Sequence, residues 1–336
     1  MPHSDETMVI TRRQGRIGRI TLNRPKALNA LDLGMMDCIS AALAGWRDDP
    51  TIHAVVIEAA GGRAFCAGGD IRLIRGMVLA GDHAGVEAFF AAEYAMNLAI
   101  ARYPKPYVAL VDGVCMGGGM GLAIHGSARI ASDAAVFAMP ETGIALFPDV
   151  GASFALPRLR QGYGMYMGLT GARLDGEDAV WVGVATHLVS RARLATLADE
   201  VAEDGVAVLA DAALVPSPGA MAAIAGQVRC FEAGSVPRII AALQQDGSGW
   251  AQQALVALHA ASPSSVLWSH ELIRRGANRT LEECLQAELA LTRHATRHPD
   301  FLEGVRAMVV DKDRSPRWSP VRLADVDPAG IDALFA

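Results

Sequence analysis

Residues 107–124 read YVALVDGVCMGGGMGLAI, and this stretch decides the fold. It begins with five β-prone residues, Tyr107 to Val111, and continues through a glycine-rich loop from Gly113 to Gly121. Apolar residues then follow as far as Ile124. The first run predicts a buried strand, and the glycines allow the next helix to pack closely against it. The stretch therefore predicts one turn of strand, glycine loop and helix.

The same order of elements recurs on both sides of this stretch. Upstream, a predicted strand over 54–58 leads into another glycine loop, 61–70, and then into a helical pattern over 86–102. Further β-prone runs are predicted as strands, the first two forming a hairpin, and lie at residues 8–13, 18–22, 128–132 and 136–138. The recurrence predicts an α/β fold of stacked β-β-α turns rather than a barrel.

The second half of the chain has a different character. Beyond about residue 169 the sequence is rich in alanine and helical in pattern. Ser262-Pro263 is typical of a helix start because proline suits the first helical position, and Thr280 with Glu283 forms a capping-box pattern. We therefore predict two domains. Residues 1–190 form a core that holds the ligand site, and residues 191–336 form a helical C-terminal region.

The composition disfavours several classes of function. Of 336 residues, 51% are hydrophobic, and 30 basic against 36 acidic side chains give a formal net charge of −6. This acidic balance offers no basic face to nucleic acid. The five cysteines form neither a zinc-binding pair nor a disulfide framework. The first residues lack the pattern of a secretory signal, and no apolar run is long enough to span a membrane, so we expect a soluble cytoplasmic protein.

Two glycine-rich loops are candidate ligand sites. Small side chains in residues 63–70 let the backbone approach a ligand, although a tight loop in which Asp70 caps the next helix explains the same pattern. In residues 116–121 three consecutive glycines open a helix, whose free N–H groups suit a developing anion. Close packing of this helix on a strand is the structural alternative. The second loop lacks the features of phosphate-binding and dinucleotide-binding motifs.

A third segment, residues 139–151, places two carboxylates in an otherwise apolar loop. Burial raises the pKa of a carboxyl group, so Glu141 and Asp149 are candidates for general acid or base catalysis near neutral pH. Alternatively, Glu141 caps a turn and Asp149 caps the helix that follows. A fourth segment, residues 300–313, predicts by itself only an amphipathic helix and a charged turn.

In this order, the segments resemble the crotonase (enoyl-CoA hydratase/isomerase) superfamily over about the first 190 residues. The resemblance implies a spiral of β-β-α turns with a helical C-terminal region. It also implies an acyl-CoA thioester as ligand, with no metal and no separate cofactor. Members of the superfamily commonly form trimers or hexamers, so a homo-oligomer is one option for this chain. The resemblance rests on residues 23–31 (NRPKALNAL), residues 67–70, the triple glycine at 117–119 and the Pro140-Glu141 pair.

The resemblance assigns roles to individual residues. The backbone N–H groups of Gly69 and Gly118 would form an oxyanion hole for the thioester carbonyl. Each donor of such a hole typically contributes a factor of roughly 10² to 10³ in rate. Residues that would lie near the nucleotide or pantetheine of CoA are Lys26, Ala67, Gly68 and Asp70.

One departure from the superfamily pattern bears on the reaction. Hydratases usually carry a glutamate just after the triple glycine, where this chain has Gly121. Their second glutamate, in the Pro-Glu motif, is kept here as Glu141. Adding water across a double bond requires two carboxylates around one water, so simple hydration is disfavoured.

Other segments resemble the 3-hydroxyisobutyryl-CoA hydrolase branch, whose activity belongs to valine catabolism. In that branch Glu93, Gly118, Glu141 and Asp149 match positions that contact the substrate. The resemblance thus implies thioester hydrolysis, with Glu141 attacking the carbonyl or activating water, and with Asp149 and Glu93 holding the 3-hydroxyl. A hydratase or isomerase is the nearest alternative, and a CoA-binding protein without turnover is an alternative of another class. The segments are residues 92–94, 105–109, 147–151, 262–265 and 303–313.

Overall fold

Strands form two sheets within the described part of the chain. The computed structural model describes residues 7–217 and 219–335. The strands are β1 (Val9–Gln14), β2 (Ile17–Leu22), β3 (Ala54–Ala59), β4 (Ala64–Cys66), β5 (Tyr107–Val111), β6 (Val114–Met116), β7 (Ala128–Ser132), β8 (Val136–Ala138), β9 (Leu174–Asp175) and β10 (His187–Val189). The larger sheet has the order β1-β2-β3-β5-β7-β10, and the smaller has the order β4-β6-β8-β9.

Most of the remaining described residues lie in α-helices or short helical turns. From Arg191 to residue 335 the described chain has helices and no strand, as predicted for the C-terminal region. None of the described helices is long and apolar enough to cross a membrane. The helices are α1 (Leu33–Arg47), α2 (Ile71–Leu79), α3 (His83–Ala101), α4 (Gly118–Ile124), α5 (Ala152–Ala155), α6 (Tyr163–Thr170), α7 (Gly176–Val182), α8 (Arg191–Asp204), α9 (Val208–Ala212), α10 (Ala220–Ala223), α11 (Val236–Asp246), α12 (Gly249–Ala260), α13 (Pro263–Gly276), α14 (Leu281–Ala295), α15 (Pro299–Val305) and α16 (Pro328–Leu334).

The order of elements confirms the predicted β-β-α repeat. Strands β3, β5 and β7 of the larger sheet are each followed directly by a strand of the smaller sheet, namely β4, β6 and β8. At least one helix then leads to the next strand of the larger sheet. In that sheet β2, β3, β5, β7 and β10 run parallel, which crossover connections through helices allow. Strand β1 pairs antiparallel with β2, which confirms the predicted hairpin.

One face of the larger sheet is covered by α8. Val56, Val108 and Ile130, on neighbouring strands, are fully buried and pack in one cluster with Leu197 and Val201 of that helix. Nearly continuous apolar runs such as residues 54–57 are typical of parallel strands covered by helices. The apolar strands of the sequence therefore form the core of this part of the molecule.

The chain divides into two compact units whose segments alternate along the sequence. Unit 1 comprises the described residues of Met1–Gly69, Ala95–Phe137 and Leu174–Gly219, and it holds nearly all strand residues. Unit 2 comprises those of Asp70–Tyr94, Ala138–Arg173 and Ala220–Ala336, and it is mainly helical. The boundaries of the two units do not coincide with residue 190. The predicted end of the core domain at that residue stays a prediction.

Side-chain caps begin several helices, including α14, for which the sequence predicts a capping box. Asp32, Asp70 and Ser262 accept hydrogen bonds from the first-turn N–H groups of α1, α2 and α13. At α14, Glu283 N donates to Thr280 Oγ1 at 3.3 Å, and Thr280 N donates to Glu283 Oε2 at 2.7 Å. This reciprocal pair is the predicted capping box, and it fixes the start of α14.

Replacing Thr280 by alanine (Thr280→Ala) should lower the free energy of unfolding by about 1 kcal/mol, because the cap at the start of α14 is lost. Urea denaturation followed by circular dichroism measures the change. Gln286→Ala, on the exposed face of the same helix, is the matched control and should change the free energy by less than about 0.5 kcal/mol. Equal values for the two variants would contradict the stabilising role of the cap.

Candidate active site

Two glycine loops lie side by side in unit 1 because the strands before them are paired. Strands β4 and β6 run parallel, with Cys66 opposite Cys115, so both loops leave the same edge of the sheet. Gly68 has φ +111°, and a Cβ placed there would lie 3.6 Å from Gly118 N. A Cβ on Gly119 would lie 2.2 Å from Cys66 O, so this close approach requires glycine.

The structure brings together the two loops that carry the predicted oxyanion-hole residues. Within residues 7–217 and 219–335, neither Gly69 N–H nor Gly118 N–H has a hydrogen-bond acceptor. Gly118 is the first residue of α4, where N–H groups have no acceptor within the helix. Unpaired backbone donors on adjacent loops are the groups that an oxyanion hole requires. The role itself stays a prediction for both residues.

The N-terminal motif at residues 23–31 holds the first glycine loop. Ala67 N donates to Leu28 O at 3.0 Å, and Leu31 N donates to Gly68 O at 2.8 Å. The two bonds fix the backbone of the loop immediately before Gly69. The motif therefore has a structural role within unit 1 that its sequence alone did not indicate.

The four predicted CoA-binding residues differ in their surroundings. Lys26 is exposed in a short 3₁₀ turn, Ala67 is half-buried and Gly68 is buried. The side chain of Asp70 accepts a hydrogen bond at 3.3 Å from the N–H three residues later, so it has the capping role that the sequence offered as an alternative. Contact of these residues with CoA stays a prediction.

Besides Asp300, four carboxyl groups are buried in unit 2, each no more than 6% exposed. Glu93 lies on α3, and Glu141 begins the 3₁₀ turn Glu141–Ile144. Asp149 precedes α5, and Glu288 lies on α14. The hydroxyl of Tyr94 donates to Asp149 Oδ2 at 2.9 Å. Three of the predicted residues, Glu93, Glu141 and Asp149, thus occur in one buried acidic set within this unit.

Glu288 binds the turn that follows Asp149. Its Oε2 accepts from Gly151 N at 2.7 Å, and its Oε1 accepts from Ser153 N at 3.0 Å and from Ser153 Oγ at 2.5 Å. Val150 has φ 54°, a left-handed conformation that is unfavourable for a β-branched residue. Gly151, rather than Asp149, caps α5, so the alternative in which Asp149 caps the next helix is wrong.

Comparison with known proteins identifies the family of this chain. The profile described as enoyl-CoA hydratase/isomerase matches residues 17–335. The chain belongs to the enoyl-CoA hydratase/isomerase family. It is 41% identical to the mitochondrial 3-hydroxyisobutyryl-CoA hydrolase of Rattus norvegicus, over 99% of this chain and 90% of that protein. It is 40% identical to the human protein of the same name, over 97% and 88% of the two chains.

Solved structures in the same comparison share the fold. An enoyl-CoA hydratase from Rhodobacter sphaeroides matches with a TM-score of 0.93 and 40% identity, over 98% of this chain and 97% of that one. A carnitinyl-CoA dehydratase from Mycobacterium thermoresistibile matches with a TM-score of 0.94 and 37% identity, over the same shares. The predicted crotonase-like α/β fold is therefore confirmed.

In this member of the enoyl-CoA hydratase/isomerase family, burial raises the pKa of every carboxyl group in the acidic set. The pKa values of Glu93 and Glu141 lie well above the usual range because burial removes water from their charged forms, and the charge of Asp149 adds repulsion. Burial also raises the pKa of Asp149 to about 6, although the hydrogen bond from Tyr94 lowers it. For Glu288 the same cause raises the pKa to about 8. The apolar loop thus has the electrostatic effect that the sequence predicts.

Two carboxyl oxygens of the acidic set have no hydrogen-bond partner among the described residues. Among the described residues, Glu93 Oε1 and Glu141 Oε2 are buried and have no hydrogen-bond partner. Buried polar atoms are almost always paired, so an unpaired oxygen calls for an explanation. A hydroxyl or water bound during the reaction would supply the missing donors.

The sequence did not predict several residues that surround Asp149. Tyr94 lies in the branch-specific segment 92–94, and no motif in the sequence marks Ser153, Glu288 or Thr292. Glu288 nevertheless has a detectable signal, because it lies on the buried face of α14. The other buried positions of that helix recur at helical spacing and include Cys284, Leu285, Leu291, Thr292 and Ala295. A carboxylate on the apolar side of an amphipathic helix is unusual enough to mark a site.

The pKa of Asp149 predicts how its removal changes stability. Because the folded pKa of about 6 lies above the usual 3.8, the folded protein holds this proton more tightly than the unfolded chain. Stability from this group is full below about pH 4 and is lost as the pH rises through about 6. Asp149→Asn removes the charge, so at pH 7 we expect it to raise the unfolding free energy by roughly 2 kcal/mol.

Urea denaturation at several pH values between 4 and 7 measures this difference. The gain in Asp149→Asn over the unchanged protein should shrink toward zero near pH 4. Asp37→Asn, which changes an exposed carboxylate on α1, is the control and should change the unfolding free energy by less than about 0.5 kcal/mol. An Asp149→Asn variant that is less stable at pH 7 would contradict the electrostatic analysis.

Proposed function

We propose that this chain hydrolyses a short 3-hydroxyacyl-CoA thioester, most readily 3-hydroxyisobutyryl-CoA, to the free hydroxy acid and CoA. Relatives named 3-hydroxyisobutyryl-CoA hydrolase, 40–42% identical over 96–99% of the chain, support the reaction. The observation that carries the proposal is the buried acidic set with Glu141, combined with glycine at position 121, where hydratases of the family carry a carboxylate.

In this proposal the N–H groups of Gly69 and Gly118 bind the thioester oxygen. They polarise the carbonyl and stabilise the negative charge that forms on its oxygen in the tetrahedral intermediate. Their lack of an acceptor in the described chain supports the role. Backbone N–H groups do not titrate, so this part of the reaction does not depend on pH.

Glu141 is the proposed reacting group. By one route its carboxylate oxygen forms a bond to the carbonyl carbon, the carbon–sulfur bond breaks, and CoA leaves as the thiolate; water then hydrolyses the acyl anhydride. By the other route Glu141 accepts a proton from the water that attacks the carbonyl carbon, the carbon–sulfur bond breaks, and CoA again leaves as the thiolate. Both routes need the ionised carboxylate, and the raised pKa of Glu141 makes that form a stronger base.

Asp149 and Glu93 are proposed to hold the 3-hydroxyl group. Burial raises the pKa of Glu93 well above its usual range, which favours the protonated form that can donate a hydrogen bond. Asp149 Oδ2 is already bound by Tyr94, which fixes the carboxyl plane. A site built for a hydroxyl group rejects acyl chains that lack it, because its buried polar groups then remain unpaired.

A hydratase or isomerase is the second candidate function. Two solved relatives carry the names enoyl-CoA hydratase and carnitinyl-CoA dehydratase, and their folds match this chain closely. Glycine at position 121 favours hydrolysis over this candidate, because water addition needs a second carboxylate. A CoA-binding protein without turnover is the candidate of another class.

We further propose that the protein acts in the cytoplasm, with CoA present only as part of the substrate and with no metal or other cofactor. The matching rat and human relatives are named as mitochondrial, and that location is stated of those proteins. Fractionation of cells followed by detection of the chain tests the location. Light scattering coupled to size exclusion tests whether the chain forms a homo-oligomer.

Glu141→Gln should abolish release of free CoA from 3-hydroxyisobutyryl-CoA, because the amide can neither attack the carbonyl nor accept a proton from water. Binding of the acyl-CoA should be retained, since the change keeps the size of the side chain. A free-thiol assay measures release, and calorimetry measures binding. Glu282→Gln, an exposed change on α14, is the matched control. Unchanged turnover in Glu141→Gln would refute the assignment.

A panel of 3-hydroxyacyl, enoyl and saturated acyl-CoAs distinguishes the candidate functions. We expect thiol release from 3-hydroxyacyl-CoAs and no loss of the conjugated thioester absorbance of crotonyl-CoA. Asp149→Asn should reduce the preference for hydroxylated over saturated substrates by about tenfold or more, as expected when a buried group loses its partner. Absorbance loss without thiol release would favour the hydratase, and binding without either signal would favour the non-catalytic protein.

A further inference from the structure

Glu288 has no part in the proposed chemistry, yet it is 0% exposed. Among the described residues, the donors to its carboxyl group are two residues just beyond Asp149, namely Gly151 and Ser153. These partners lie 137 and 135 positions away in the sequence. A buried carboxyl group that accepts several hydrogen bonds from one short turn stabilises the conformation of that turn.

The turn that Glu288 binds is conformationally unfavourable. Val150 has φ 54° and Gly151 has φ 81°, so two consecutive residues adopt the left-handed region. A β-branched residue takes this conformation only when its surroundings enforce it. The carboxyl group of Glu288 enforces it by accepting the N–H groups of Gly151 and Ser153. The direction in which the chain leaves Asp149 therefore depends on Glu288.

Helix α14, which carries Glu288, also contacts the residue that binds the carboxyl group of Asp149. Thr292 lies one turn after Glu288 on α14, and its hydroxyl donates to Glu288 O at 2.9 Å. Thr292 Oγ1 also lies 3.2 Å from the hydroxyl oxygen of Tyr94, which donates to Asp149 Oδ2. Helix α14 thus contacts both the backbone beyond Asp149 and the tyrosine that orients its carboxyl group.

We propose that Glu288 is a positioning residue, which acts through Asp149 by fixing the turn at residues 150–153. The role rests on the proposed function, because the group that Asp149 orients is the 3-hydroxyl of the substrate. Glu288 itself touches neither substrate nor water in this role. Loss of its carboxyl group should therefore weaken recognition of the hydroxyl group and leave recognition of CoA unchanged.

Glu288→Gln tests the proposal, because an amide nitrogen cannot accept from a backbone N–H and one anchoring bond is lost. We expect kcat on 3-hydroxyisobutyryl-CoA to fall roughly 10- to 100-fold, in line with the effect of small misplacements in an active site. KM for a saturated acyl-CoA should not change. Glu282→Gln, which removes a carboxylate from the exposed face of the same helix, should keep full activity. If Glu288→Gln does not fold, Ser153→Ala removes one donor to the same carboxyl group and should act in the same direction.

Two further measurements separate positioning from general support of the fold. The double variant Asp149→Asn with Glu288→Gln should be no slower than Asp149→Asn alone, because both changes act on one group. Multiplied losses would overturn the proposal. An equal loss on hydroxylated and saturated substrates would also overturn it.

Binding of non-hydrolysable thioether analogues separates this inference from the proposed function. The unchanged protein should bind the hydroxylated analogue more tightly than the saturated one, and Glu288→Gln should lose that preference. This result without any thioester hydrolysis would refute the proposed function and retain the role of Glu288. Hydrolysis with an unaltered preference in Glu288→Gln would do the reverse.

Discussion

Burial of the acidic set, formed by Glu93, Glu141, Asp149 and Glu288, is the constraint on which the rest of the candidate site depends. Burying a carboxylate costs on the order of several kcal/mol in lost solvation unless the group is protonated or hydrogen-bonded. The structure meets this demand in two ways. Asp149 and Glu288 receive hydrogen bonds from Tyr94 and from the turn after Asp149. Glu93 and Glu141 each have one oxygen without a partner among the described residues, and burial raises the pKa values of both, which lowers the cost of burial by favouring the uncharged form.

The glycine loops meet a different demand, since their donors are backbone N–H groups that cannot lose or gain a proton. Their position depends on the absence of side chains, as the 2.2 Å approach of a Cβ at Gly119 to Cys66 O demonstrates. In the proposed reaction, the fixed dipoles belong to residues of unit 1 and the titratable groups to residues of unit 2. A family that keeps these backbone donors and varies its titratable side chains can perform different reactions on related thioesters.

Contacts that are short in sequence were predictable, and distant ones were not. The caps at Asp32 and Thr280 join residues three positions apart, and the strands follow from runs of apolar residues. Glu288 could not be placed in the same way, because its partners are 135 and 137 positions away. The alternating units were missed for a related reason. Residues 70–94 and 138–173 leave the sheet-bearing unit without any change in composition that would mark a boundary.

The branch-specific segments near the C-terminus gain a physical explanation from the turn that carries Glu141. Ser262 N donates to Thr142 O at 3.1 Å, and Ser265 Oγ donates to Leu146 O. A Cβ on Gly304 would lie 2.7 Å from the Cα of Ile144, so α15 packs directly on the same turn. These residues hold the backbone around Glu141, as Glu288 holds the backbone beyond Asp149. The C-terminal helices α13, α14 and α15 therefore stabilise the turns that carry two of the buried carboxyl groups.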